Sequence, residues 1–118
     1  MTYKRADRVN ALLQRELGTI ISEELSDPRI AFSTVTAVEI TSDLRSATVH
    51  VSVLGDDEQI ALTMQALNEA KPYLRHELGT RVKLRYVPEL SFVNDRSAER
   101  SARIAMLLRE AKERDQAE

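Results

Sequence analysis

The chain has 118 residues, of which 42% are hydrophobic and 31% are charged, and its formal net charge is −2. This length and balance predict one globular domain with a single core. The sequence has no cysteine, which excludes disulfides and thiolate chemistry. It also lacks the run of about 18 apolar residues that a membrane-spanning helix needs. We therefore expect a soluble, cytoplasmic protein that does not insert into membranes.

Positive and negative charges are unevenly distributed along the chain. Residues 1–15 carry four Lys/Arg against one Asp/Glu, residues 16–70 carry two against ten, and residues 71–103 carry eight against four. An anionic partner senses the local potential more than the net charge. If the two basic segments meet in space, this acidic protein can present a basic surface.

Apolar residues at three- and four-residue steps predict a first helix from about residue 5 to 26, ended by Asp27-Pro28. Lys4, Arg8 and Arg15 form a basic stripe on its opposite side. Segments 32–40 and 46–54 are rich in β-branched residues and predict a hairpin. A second helix follows the hairpin, with acidic residues in its first turn.

The step Ala70-Lys71-Pro72 interrupts this helical run. Proline in a helix interior costs about 3 kcal/mol, whereas the first turn tolerates it. We therefore predict a kink here, followed by a short helix from Pro72 to Leu78 that ends at Gly79 in a left-handed conformation.

Alternating residues from 81 to 93 predict a third strand, parallel to another strand of the same sheet. Arg81, Lys83 and Arg85 would project from its start, and Tyr86 would face the core. A last helix should begin near Asp95 or Ser97. Residues 1–110 then form the domain, and residues 111–118 form a flexible tail.

The predicted fold is α+β, in the order α-β-β-α-α-β plus a C-terminal helix, with a three-stranded mixed sheet. This helix-kink-helix arrangement is that of the type II KH domain. Four stretches extend the resemblance: RADRVNALLQRELGTIISEELSDPRI, VTAVEITSDLRSATVHVSVLG, ALNEAKPYLRHELG and VKLRYVPELSFVNDRSAERSARIAMLL. With them the chain resembles the ribosome-binding factor A family, although Pro72 stands where that family usually has glycine.

The resemblance implies an RNA-binding assembly factor, without cofactor, that acts as a monomer. It implies binding to the free small ribosomal subunit through 16S rRNA and assistance in rRNA processing and late maturation. Ribosomal proteins and an assembly GTPase would be further partners, and cold adaptation a further role. RNA phosphates are bound largely by Lys and Arg, so the candidate RNA-binding residues are Lys4, Arg5, Arg8, Arg15, Lys71, Arg75, Arg81, Lys83, Arg85 and Arg100.

An adaptor whose acidic segment 16–70 docks a basic partner is the alternative function. Catalysis has little support, because the sequence has no nucleotide-binding glycine motif and no zinc-protease motif, and its two histidines lie on different predicted elements. We therefore expect a protein that is not an enzyme.

Overall fold

The computed structural model describes residues 5–117, so the predicted binding residue Lys4 lies outside the described part of the chain. The α+β class and the predicted order of elements are confirmed. The elements are α1 (Arg5–Thr19) with a π-helical turn (Ile20–Glu24), β1 (Ser33–Ile40), β2 (Ser46–Val53), α2 (Asp57–Glu69), α3 (Lys71–Arg81), β3 (Glu89–Asn94) and α4 (Ser97–Ala117).

The sheet has the order β1-β2-β3, with β1 antiparallel and β3 parallel to the central strand β2. Helix α1 covers the edge strand β1 and satisfies part of its backbone. Asn10 Oδ1 accepts a hydrogen bond from the Ile40 amide (2.8 Å), and Gln14 Nε2 donates to the Thr36 carbonyl (3.2 Å). An edge strand covered in this way cannot pair with another chain along those groups.

The core lies between one face of the sheet and helices α1, α2 and α3. Its fully buried large side chains are Leu13, Leu17, Ile20, Val49, Val51, Leu67, Leu74 and Leu78. Burying one such side chain stabilises the fold by roughly 1.5 to 3 kcal/mol. The periodic apolar positions of the sequence are therefore the positions that hold the helices on the sheet.

The first helix changes its geometry near its end. The α-helical part stops at Thr19, five residues continue as a π-helical turn, and the Leu25 amide donates to the Ile20 carbonyl (3.2 Å). Ile20 and Ile21 are both buried. The predicted regular helix to residue 26 was wrong in this last turn. The wider turn lets two consecutive isoleucines face the core.

The predicted kink is confirmed. Helix α2 begins at a capping box between Asp56 and Gln59 and ends at Glu69, and Ala70 separates it from α3. Pro72 lies in the first turn of α3, where its missing amide hydrogen leaves no helical bond unmade.

Helix α3 continues past Gly79 to Arg81, so the predicted end at Gly79 was wrong. A Cβ on Gly79 would lie 3.3 Å from Cγ2 of Val87. Glycine at this position therefore permits close packing of the following loop against the helix, and it is not needed for a left-handed turn.

The third strand is shorter than the sequence predicts. It begins at Glu89, and residues 82–88 form a loop. The placement of Arg81, Lys83 and Arg85 at the start of a strand was therefore wrong. Pro88 has no amide hydrogen to donate to the sheet, and the ladder to β2 begins at Glu89, opposite Ser46.

Helix α4 begins at a cap made by Asp95. Its carboxylate accepts hydrogen bonds from the Ser97 amide (2.8 Å), the Ser97 hydroxyl (2.5 Å) and the Thr36 hydroxyl of β1 (2.6 Å). The helix runs to Ala117, so the predicted end of ordered structure near residue 110 is not observed, and flexibility of residues 111–118 stays a prediction. Its side chains from residue 97 to 116 are exposed. Across residues 5–117, no helix combines the length and the apolar character that crossing a bilayer requires.

Candidate nucleic-acid interface

A cleft with a volume of about 330 Å³ opens where three separate parts of the chain meet. The start of α1, the hairpin turn between β1 and β2, and the loop 82–88 all contribute. We call it the Tyr86 cleft, and its lining residues are Arg5, Asp43, Leu44, Arg45, Leu84, Arg85 and Tyr86. The fold thus brings three arginines together from positions as far apart as residues 5 and 85.

Tyr86 is the aromatic centre of this cleft. Its side chain is 50% exposed, so the prediction that it faces the core was wrong. The guanidinium carbons of Arg45 and Arg85 lie 4.8 Å and 5.6 Å from the ring centroid. Such cation–π contacts contribute about 0.5 to 1 kcal/mol at exposed sites. They place two positive charges beside an accessible aromatic face.

The hairpin turn that carries Arg45 has a fixed shape. The Thr41 amide donates to the Ser46 carbonyl (2.8 Å), and the Leu44 amide donates to the Thr41 carbonyl (2.9 Å). Asp43 Oδ1 accepts from the Thr41 hydroxyl (2.6 Å) and from the Arg45 amide (3.1 Å). These hydrogen bonds, the one from Thr41 above all, lower the pKa of Asp43. The carboxylate therefore stays ionised and holds the turn.

Leu44 has a φ of 63°, and it is the one residue other than glycine with positive φ in the described part of the chain. The left-handed conformation costs an ordinary L-residue roughly 1 to 2 kcal/mol. The surrounding hydrogen bonds impose it, and the Leu44 side chain becomes part of the cleft wall.

The loop 82–88 is attached to α3 by Arg75. Its guanidinium donates from Nε to the Pro88 carbonyl (3.1 Å) and from Nη2 to the Val87 carbonyl (3.0 Å). It also lies 3.5 Å from Glu89 Oε1. Arg75, which the sequence suggests as an RNA ligand, therefore bonds the backbone of the loop that carries Tyr86.

A second groove, of about 550 Å³, continues from the cleft and is lined by residues 79–85. It shares Leu84 and Arg85 with the Tyr86 cleft and adds Lys83. Four cations make no ion pair with any carboxylate among residues 5–117 and line this continuous surface. We call them the basic surface: Arg5, Arg45, Lys83 and Arg85.

Other predicted binding residues are placed elsewhere. Arg81 pairs with Glu24 and with Glu77 (3.2 Å), and these contacts, the one with Glu24 first, raise its pKa. Arg15 lies 3.6 Å from Glu16 and about 15 Å along α1 from Arg5. A guanidinium already paired with carboxylates has less charge to offer to RNA.

The remaining predicted residues are neither joined to the basic surface nor removed from consideration. Arg8 is exposed one turn after Arg5, Lys71 is half-buried at the kink, and Arg100 is exposed on α4. Their contact with RNA stays a prediction.

Sequence reasoning missed Arg45, because the segment TSDLR was interpreted only as a turn. A basic residue at the tip of a hairpin is a signal in itself, since hairpin tips are exposed and their shape is fixed by few hydrogen bonds. The partner of Arg45, Tyr86, could not be recognised because alternation placed it on the buried side.

No group of three or more His, Asp or Glu side chains within residues 5–117 is arranged to hold a metal ion. His50 lies 3.5 Å from Glu39, and its buried Nε2 has no hydrogen-bond partner in the described region. His76 lies on α3, apart from the cleft. The chemistry of the Tyr86 cleft is that of binding by charge and by an aromatic face.

The chain is similar to known proteins over almost its whole length. The model of the family described as ribosome-binding factor A matches residues 5–108. A Desulfitobacterium hafniense protein named ribosome-binding factor A is 46% identical over 116 residues, which cover 98% of this chain and 93% of that protein.

Solved structures agree with these sequence similarities. The crystal structure of ribosome-binding factor A from Thermus thermophilus is 31% identical and has a TM-score of 0.70, with 80% of this chain and 100% of that chain covered. A homology model of the Thermus thermophilus factor, fitted into the cryo-electron microscopy map of a 30S complex, is 33% identical. Its TM-score is 0.62, with 74% of this chain and 91% of that chain covered.

Proposed function

The chain belongs to the ribosome-binding factor A family, and we propose that it binds the small ribosomal subunit through 16S rRNA. We propose further that it acts in the cytoplasm on immature subunits, assisting rRNA processing and late maturation. A related factor has been fitted into a 30S complex, which supports the choice of partner. The observation that carries the proposal on this chain is the convergence of three arginines on the Tyr86 cleft.

The basic surface suits a polyanion. RNA binding is dominated by contacts between phosphates and Lys or Arg, and each contact releases counterions. Arg5, Lys83 and Arg85 are exposed, and none of them has an ion pair with a described carboxylate. Their charges are therefore available to phosphates at no cost in internal pairing.

The alternative function, an adaptor that docks a basic partner through its acidic segment, is less favoured. Many acidic side chains of residues 16–70 already pair with basic groups of the same chain. Arg29 pairs with Asp27 (2.8 Å) and Glu69 (2.5 Å), and Arg96 pairs with Asp57 (3.1 Å). These carboxylates are partly neutralised before any partner approaches.

Sedimentation with purified 30S subunits tests the proposal. We expect the protein to co-sediment at low salt and to dissociate as salt is raised. Reversing two charges in Arg45→Glu/Arg85→Glu should weaken binding, and it should lower the magnitude of the salt slope by about 0.7 to 0.9 for each lost phosphate contact.

The matched control is Arg109→Glu/Arg114→Glu, which makes the same charge change on exposed positions of α4. It should bind nearly as the unmodified protein does. Equal losses in both double variants would mean that net charge, and not the basic surface, governs binding. Absence of co-sedimentation by the unmodified protein would contradict the proposed function.

A further inference from the structure

We propose that the Tyr86 cleft receives the base of one unstacked nucleotide, so that the protein prefers RNA with an unpaired residue over a continuous duplex. This inference rests on the proposed function and specifies what its site recognises. Phosphate binding by the basic surface alone would not distinguish these two kinds of RNA.

The size and the lining of the cleft fit a base. Its volume of about 330 Å³ lies at the lower end of the range of small-molecule sites. Leu44 and Leu84 supply apolar walls, and Tyr86 supplies an aromatic face. A base within an A-form duplex presents only its edges, whereas an unpaired base can be inserted and stacked on a tyrosine. The apolar part of the cleft is therefore useful only to a nucleotide that has left the stack.

The charges divide the cleft into a base end and a phosphate end. The ionised Asp43 carboxylate lines it and is held by Thr41 and Arg45. A phosphate placed beside this carboxylate would be repelled, whereas a neutral base would not. Phosphates would instead lie near the exposed arginines, Arg5 and Arg85.

Stacking requires access to the tyrosine ring. The ring is half exposed, and Arg85 is the more distant of its two cation–π partners, at 5.6 Å against 4.8 Å for Arg45. An entering base would replace Arg85 at the ring. The released guanidinium could then turn to the phosphate that flanks the base, so that one loss of contact is matched by another gain.

The strained hairpin residue is a separate observation that points to the same place. Backbone strain persists where the surrounding structure imposes it, and it is concentrated at binding sites. Leu44 keeps its φ of 63° although glycine would adopt it without strain. The leucine side chain gives the cleft an apolar wall that glycine would lack, which is a reason for tolerating the strain.

Three RNA probes test the inference by fluorescence anisotropy. The first is a labelled hairpin with one bulged adenosine, the second is the same hairpin with an abasic site at the bulge, and the third is the hairpin without the bulge. The unmodified protein should bind the bulged hairpin about tenfold more tightly than either of the others, as expected for one base stacked on an aromatic side chain. Equal affinity for all three probes would overturn the inference, and this comparison needs no protein variant.

Two variants and one control then assign the preference to Tyr86. Tyr86→Leu should remove the preference for the bulged hairpin and leave binding to the unbulged hairpin unchanged, whereas Tyr86→Phe should retain the preference. Tyr73→Leu is the matched control, because Tyr73 is 41% exposed and lies on α3, outside the cleft. A preference that survives Tyr86→Leu would overturn the assignment.

Failure of this inference can be distinguished from failure of the proposed function. A protein that binds 30S subunits but treats the three hairpins alike contradicts only the role of the cleft. A protein that binds neither the subunit nor any hairpin contradicts the proposed function itself.

Discussion

Replacing Arg75 with methionine should destabilise the fold and loosen the loop 82–88. The guanidinium donates two hydrogen bonds, of 3.1 Å and 3.0 Å, to the carbonyls of Pro88 and Val87. Hydrogen bonds that involve a charged group contribute about 1.5 to 3 kcal/mol each. Because the Arg75 side chain is 37% exposed, water competes for these carbonyls, and we take the low end of that range, reduced to roughly 1 kcal/mol for each bond. Methionine keeps most of the apolar stem, so the expected loss is about 2 kcal/mol from the hydrogen bonds alone.

Thermal denaturation followed by circular dichroism measures this loss. For a domain of this size, about 2 kcal/mol corresponds to a fall in melting temperature of roughly 8 °C. Lys83→Met is the matched control, since Lys83 is exposed in the same loop and should change stability by less than about 0.5 kcal/mol. If Arg75→Met melts like the unmodified protein but loses subunit binding as strongly as the Arg45→Glu/Arg85→Glu variant, then Arg75 contacts RNA directly and the structural reasoning is refuted.

Three further predictions concern the kink, the cap of α4 and a paired arginine. Pro72→Ala should lower the free energy of unfolding by less than about 1 kcal/mol in a urea titration, because proline restricts the unfolded chain; a gain near 3 kcal/mol would indicate a continuous helix. Hydrogen bonds from Ser97, and then from Thr36, lower the pKa of Asp95 to about 2. Its contribution to stability is therefore present above an unfolded-state pKa of about 3.9 and is lost as the pH falls through about 2, so the difference in melting temperature between the unmodified protein and Asp95→Asn should shrink over this window. A difference that stays constant would argue against the cap. Arg81→Gln should lower the melting temperature without changing the salt slope of subunit binding, and a reduced slope would show that Arg81 contacts phosphates.

Much of the fold could be predicted because its signals are local. In α1, buried Leu13 and Leu17 are spaced by one helical turn, and in β2, buried Val49 and Val51 alternate with more exposed residues. Each periodicity follows from the geometry of one element. The kink at Pro72 was equally predictable, because proline acts through its own ring and its own missing amide hydrogen.

The third strand could not be predicted correctly because a distant residue determines where it begins. Residues 82–86 alternate as a strand would, yet Arg75 binds the carbonyls of Val87 and Pro88, and the Glu89 amide donates to the Arg45 carbonyl (2.8 Å). These bonds are formed between elements, and no local pattern encodes them. The misassignment of Tyr86 follows from the same error, since its predicted burial depended on strand alternation.

The candidate site shows the same limit for charges. Arg81 and Arg85 are four positions apart and look alike in the sequence. In the structure Arg81 is paired with Glu24, 57 positions away, whereas Arg85 contacts the ring of Tyr86. Which arginine is available to a ligand is therefore decided by tertiary pairing, and residue type alone cannot reveal it.

Tertiary pairing also explains how a protein of net charge −2 can present a basic surface. Arg29, Arg75, Arg81 and Arg96 each lie within 4 Å of a carboxylate, and they take up acidic residues from α1, α2, α3, β3 and the segments between them. The positive potential that remains near the hairpin tip and the loop 82–88 comes from cations with no such partner among residues 5–117. At an ionic strength of 0.15 M the Debye length is about 8 Å, so a phosphate at the Tyr86 cleft would be attracted by these nearby cations and hardly repelled by unpaired acids elsewhere. Raising the net charge by neutralising exposed acids far from the cleft would then strengthen RNA binding much less than a single added cation at the cleft.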